Sequence, residues 1–204
     1  VIDPIKKIII VPNVTIKNGS LNIIYIQNRK AILSARNINL RVNGIVITDD
    51  ILKNKIPFSY KKFDFSTDSL FYQINQFYHL QAVHLQTSNT NLKLKNWALV
   101  PEFSRSEFTQ KLKTEKDIYN INGEELSINN MDFGFKDTLF YFNSNKLVLD
   151  KMSANIYRNK TVADDKTKKH LYNKLLRDIK FPLNVDTLLI KNSMLVYEEE
   201  VDAQ

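Results

Sequence analysis

The chain reads as all-β: one long, curled, antiparallel, meandering sheet carrying two short helices. Three observations predict this. Apolar residues alternate with polar ones through most of the chain, the period of a half-buried strand. Helical spacing is confined to two brief stretches, near 104–113 and 166–179. A short pattern (apolar, any, apolar, any, Asn or Lys, any, any, apolar) recurs six times, starting at Val14, Leu33, Leu92, Leu126, Leu147 and Leu188.

The fifth position of the pattern is Asn18, Asn37, Asn96, Asn130, Lys151 and Asn192. Leu92 and Leu94 lie on one strand face by alternation, yet Trp97 and Leu99 resume with the opposite parity. Unless the strand turns a corner or bulges between them, the second pair would face solvent. Asparagine suits such a corner because it tolerates left-handed backbone angles better than most other residues. The six positions therefore read as curvature devices.

Element by element, residues 8–47 form a meander. Val14 and Ile16 alternate, Asn18-Gly19 is a hairpin turn signal, and Leu21, Ile23 and Tyr25 continue beyond it. The polar run 27–30 is a turn, a strand covers 31–42, and Asn43-Gly44 marks another turn before Ile45 and Ile47. Residues 48–62 are polar and irregular, broken by Pro57. Strands resume at 63–65, 70–74, 80–87 and 92–100, where Pro101 ends the run. Ser104 and Glu107 form a capping box, Phe103 can staple onto Phe108, and Phe108 and Leu112 share one helical face. Strands return at 126–135, 139–142 and 146–157. Asp164 and Asp165 can cap a second helix near 166–179, with Leu171, Leu175 and Ile179 as its apolar stripe. The last strands cover 185–190 and 194–197, and Glu198-Glu199-Glu200 reads as a solvated end. The 204 residues suit a single β-rich domain, with a subdivision near 101–118 as the alternative.

Composition limits the chemistry. Hydrophobic residues make up 43% and charged residues 25%, which excludes wholesale disorder. There is no cysteine, hence no disulfide or thiolate site. No stretch approaches the roughly 18 apolar residues that span a bilayer, and no signal peptide is visible. The net charge of +7 could serve nucleic acid, anionic lipid or an acidic partner, and over most of the chain it reads as scattered lysines on a solvated surface. The aromatics occupy alternating strand positions and match no nucleic-acid signature, so nucleic acid is not an expected partner.

Candidate catalytic and metal sites are absent. Of the three histidines, His79 and His84 stand five apart, on opposite faces of an extended strand, which is wrong for joint ligation. The acidic pairs Asp49-Asp50, Glu124-Glu125 and Asp164-Asp165 read as turn or capping residues. With no nucleophile elbow, phosphate loop or HExxH, the chain is expected to be non-enzymatic and to carry no cofactor. One candidate surface remains: Lys166, Lys168, Lys169, Lys174 and Arg177 would line the face of the second helix opposite its leucines, facing a membrane or a partner. A helix that docks its leucines on the sheet and solvates its lysines explains the same pattern.

LKLKNWALVPEFSRSEF (92–108), ELSINNMDF (125–133), LVLDKMSANIYRNK (147–160) and FPLNVDTLLIKNSMLVYEEE (181–200) together resemble AsmA-like envelope proteins of Bacteroidota, members of the bridge-like lipid-transfer superfamily. The likeness covers about residues 80–200 and rests on structural motifs, so it transfers no functional residue. It implies a periplasmic segment of a longer repeating sheet, tethered to the inner membrane elsewhere in the parent protein. It also implies lipid acyl chains sheltered along an apolar groove, with other envelope proteins as partners. The residues allow this, since an alternating sheet can curl with its apolar face inward. The same alternation would equally fill a self-packed sandwich core in a structural or interaction module.

Overall fold

The computed structural model describes residues 8–166 and 179–201, and within them one sheet accounts for almost everything. Its strands are β1 (Ile9–Ile24), β2 (Ala31–Ile47), β3 (Lys62–Thr67), β4 (Ser69–Gln73), β5 (Tyr78–Ser88), β6 (Asn91–Pro101), β7 (Asp117–Asn129), β8 (Asp132–Lys136), β9 (Leu139–Asn159), β10 (Leu183–Lys191) and β11 (Met194–Glu200). A 3-10 turn (Ile51–Lys53) and one helix, α1 (Arg105–Lys111), complete the described elements. The second expected helix falls on residues outside those described.

Eleven segments make eight strand lines, ordered β1-β2-β3-β5-β6-β7-β9-β10. β4 extends the line of β3 between β2 and β5, β8 extends β7 against β9, and β11 extends β10 against β9. Pairing is antiparallel throughout the meander. β10 and β11 depart from this, since both run parallel to β9. A parallel neighbour requires a crossover long enough to carry the chain back, and residues 160–182 supply that length.

The six Asn/Lys positions all hold left-handed backbone, with φ of 52° at Asn18, 54° at Asn37, 45° at Asn96, 50° at Asn130, 50° at Lys151 and 51° at Asn192. They are corners within strand lines, as the parity argument requires. Asn18-Gly19 is therefore not a hairpin: β1 runs straight through it, and the slip it introduces in pairing with β2 is undone by Asn37 across the ladder. Asn43-Gly44 is likewise interior to β2, where Gly44 adopts φ 65°. The sequence signal for a reversal and for a bulge is the same left-handed residue. Flanking apolar residues that continue to pair with the same neighbour decide for the bulge.

Most corners line up across the sheet. Ladder pairing is interrupted between Val83 and Asn96, between Asn96 and Glu124, and between Glu124 and Lys151, and it resumes in unchanged register on either side. Lys151 in turn stands beside the Asn192-Ser193 break between β10 and β11. Asn37 lies opposite the Asp68 break between β3 and β4. Polar side chains stitch this row together. Asn37 Nδ2 donates to Asp68 Oδ2 at 2.6 Å, Lys151 Nζ to Glu124 Oε2 at 2.7 Å, and Asn192 Nδ2 to Asp150 Oδ1 at 3.0 Å.

Each corner keeps the apolar residues on one face. Leu92 and Leu94 on β6 are followed by Trp97 and Leu99, and on β9 Leu147 and Leu149 are followed by Met152 and Ala154. Ala82, Leu94 and Trp97 are buried at the centre of this face, with Leu70, Leu85, Leu126, Leu149 and Met152 packed around them. Gly123 makes this possible, because a Cβ there would stand 2.8 Å from Cε2 and Nε1 of Trp97. The indole lies over the bare backbone of β7.

α1 closes one end. Ser104 caps it in a full capping box with Glu107, and Phe108 is buried against Ile118 and Tyr157 with Phe77, Phe103 and Leu112 beside it. Arg105 stacks 4.3 Å over the Tyr157 ring and pairs with Glu198. The stretch 198–200 is thus not a solvated tail but the end of β11. There Asn155 also binds Glu198, Lys160 binds Glu199 at 2.9 Å, and Tyr157 binds Glu200.

Candidate functional site

Two surfaces are candidates, one on each face of the sheet. The apolar face begins with the alternation of each strand and is carried past every corner by a left-handed residue. Across one row on one side of the corners it presents Ile16, Leu40, Phe65, Leu92, Ile128, Leu147 and Leu188, interrupted only at β5 by Thr87. On the other side it presents Leu21, Ala35, Leu70, Ala82, Trp97 and Met152. The substantial packing among the described residues is between paired strands, and no second sheet lies on this one. The total accessible surface, 14789 Å², is half again the roughly 9,900 Å² of a compact monomer of this mass. Burial consequently falls from centre to edge. Leu94 and Trp97 are 8% exposed, whereas Leu195 on β11 is 66% exposed.

The opposite face is polar and holds a trough of about 800 Å³ that crosses β1, β2, β3, β5, β6 and β7. Most of its lining has the polar parity, as with Glu125, Ser127 and Asn129 on β7, while the intervening Ile16, Leu40, Phe65, Thr87 and Leu92 of the other strands border it as well. Sequence reasoning missed this site. Each polar residue on its own looked like the solvated side of a strand, and only the bend of six strands gathers them.

The predicted surface residues are only partly placed. Lys166 is exposed at the end of the described segment, and Lys168, Lys169, Lys174 and Arg177 lie outside the described residues. Glu124 and Glu125, expected in a turn, sit inside β7. Glu124 binds Lys151, and Glu125 binds Lys93 at 2.7 Å. Hydrogen bonding to Glu124 raises the affinity of Lys151 for its proton. The bonds from Asn192 and Lys191 hold Asp150 below the usual carboxylate range.

The histidines need a correction. A corner falls between His79 and His84, so both project from the polar face. What keeps them apart is length, about 16 Å for five strand residues. Each has a separate partner: His79 Nδ1 meets Glu102 Oε1 at 2.5 Å, and His84 Nδ1 stands 3.9 Å from Asp68. Burial pushes the Glu102 carboxyl upward, but hydrogen bonds from His79 and Gln73 outweigh it and hold the group below its ordinary range. Among the described residues no three His, Cys, Asp or Glu side chains come together as a metal site would need. Among the described residues, too, no helix is long and apolar enough to cross a membrane.

Compared with protein-family models, with curated proteins and with solved structures, the chain finds no match.

The most polar cluster lies at the α1 end. Arg158 donates to Asp117 at 2.7 Å and stands 3.6 Å from Glu115, all three largely shielded from water. The bond to Asp117 makes the guanidinium still harder to deprotonate. It ties β7 to β9, and Asp117 also borders a cavity of about 360 Å³ beside α1, lined by Phe77, Tyr78, Phe108 and Tyr119.

Proposed function

We propose that this chain is a non-enzymatic, periplasmic sheet that shelters lipid acyl chains on its apolar face. In this reading it is a segment of an AsmA-like protein of the cell envelope, tethered to the inner membrane elsewhere in its parent. The observation that carries the proposal is the apolar face itself. It continues through the corners on all eight strand lines, and no second layer covers it among the described residues. Water against so much hydrocarbon is costly, at about 25 cal/mol for each Å², and monomers seldom leave contiguous apolar patches above a few hundred Å². An acyl chain lying along a row of leucines and isoleucines removes that cost without requiring any directional bond. The resemblance of residues 80–200 to AsmA-like proteins supports the same reading.

Gently purified protein should retain lipid in native mass spectrometry, released as acyl-containing species on denaturation. Protein that is consistently lipid-free would overturn the proposal. A second reading, an interaction module of an envelope assembly, is favoured by the exposed apolar residues on the edges β1 and β11, such as Ile9 and Leu195. Crosslinks from those two edges to a partner protein, found on a lipid-free monomer, would favour that module.

A further inference from the structure

The trough lies mainly on the polar face, and its polar side chains alternate with Ile16, Leu40, Phe65 and Leu92, which also border it. Its lining is unusual in its balance of charge. On the β3 and β6 walls the ions are already compensated: Lys62 pairs with Asp64 at 3.1 Å and Lys93 with Glu125 at 2.7 Å. Lys17 on β1 and Arg41 on β2 also line it and stand in none of these ion pairs, although Asp64 lies directly across the ladder from Arg41. Arg41 stands opposite Thr15 in the ladder, so Lys17 is its diagonal neighbour on the same face, about 7–8 Å away at the backbone. Two long cationic side chains at that spacing can converge on one anion.

We propose that the trough binds a phosphorylated saccharide or polyol, its phosphate held by Lys17 and Arg41. A phosphate monoester carries a charge of about −1.5 to −2 at neutral pH, which Lys17 and Arg41 can balance together, with Asp64 beside Arg41 as the opposing charge. The Arg41 guanidinium offers the paired N–H geometry that phosphate oxygens accept, and Lys17 adds a point charge. Beyond the cations, the floor presents the hydroxyls of Ser66 and Ser127 and the amides of Gln86 and Asn129. Such groups both donate and accept, as the hydroxyls of a sugar do. The volume lies within the range of small-molecule sites.

Glucose 6-phosphate, glucose and inorganic phosphate are the probes, titrated against the full chain by calorimetry and amide chemical shifts. Glucose 6-phosphate should bind saturably and more tightly than either of the other two, with shifts concentrated at residues 15–17 and 39–41. Lys17→Gln and Arg41→Gln, both at exposed positions, should each weaken binding roughly ten-fold. Lys136→Gln, on β8 away from the trough, should leave it unchanged. Phosphatidylcholine vesicles carrying phosphatidylinositol 4-phosphate form a second arm. Binding confined to these vesicles assigns the phosphate to a lipid headgroup, and binding to the soluble sugar assigns it to a free metabolite. No saturable binding in either arm overturns the proposal, as do equal losses from all three variants or wild-type shifts scattered away from the trough.

Discussion

Asn96 offers the sharpest test of how the sheet is shaped. Its φ of 45° places it in the left-handed region, which costs most L-residues about 1–2 kcal/mol. Asparagine escapes part of that cost and glycine nearly all of it, at an entropic penalty of about 0.5–1 kcal/mol. Asn96→Gly should therefore remain within about 0.5 kcal/mol of the parent. Asn96→Ala should lose about 1 kcal/mol, and the β-branched Asn96→Val about 2 kcal/mol. Ala98, two residues along the same strand and outside the left-handed set, provides the control. There glycine has no strain to relieve, so Ala98→Gly should lose about 0.5–1 kcal/mol. Urea unfolding followed by the single Trp97 reads all four variants, with m unchanged if the native state stays intact. Equal losses for glycine at 96 and 98, with valine tolerated at 96, would refute the corner as the reason for asparagine.

Further expectations concern the packing and the edges. Gly123→Ala should destabilise by about 1–3 kcal/mol despite its strand position, because the new Cβ meets the buried Trp97 ring at 2.8 Å. A change in Trp97 emission should accompany the loss, and an unperturbed stability curve would contradict the close approach. Arg158→Gln leaves Asp117 and Glu115 close together without their guanidinium and should cost about 2 kcal/mol, measured by the same unfolding assay. Acid should loosen β11 before the rest of the sheet. Side-chain hydrogen bonds hold Glu198 (to Asn155 and Arg105), Glu199 (to Lys160 and Tyr197) and Asp150 (to Asn192 and Lys191) below the usual carboxylate range. Groups with depressed folded values stabilise above their unfolded pKa, and that support fades as pH falls through the folded value. Amide exchange at 194–200, corrected for the intrinsic rate, should therefore accelerate at acid pH relative to β6, and uniform protection would count against it.

The sequence by itself determined the all-β class, the polar turn at 27–30, the capping box at Ser104 and the six left-handed corners. These features are local. Each depends on residues within one strand or one helical turn, where alternation and backbone preference act directly. Only the tertiary structure decided that Asn18-Gly19 and Asn43-Gly44 stay inside strands, since bulge and hairpin ask the same of the backbone and differ only in the partner beyond. The parallel return of β10 and β11, and the conversion of 198–200 from tail to strand, depend on β9 lying beside them. His79 and His84 share a face because of a corner that no pattern copy marks: Val83 carries none of the Asn/Lys signal and bends only because Asn96 bends beside it. The polar trough arises in the same way. Its side chains come from six strands spread over more than a hundred residues, and their convergence is a property of the bent sheet, to which hydrophobic patterning contributes the curvature and leaves the polar face to follow.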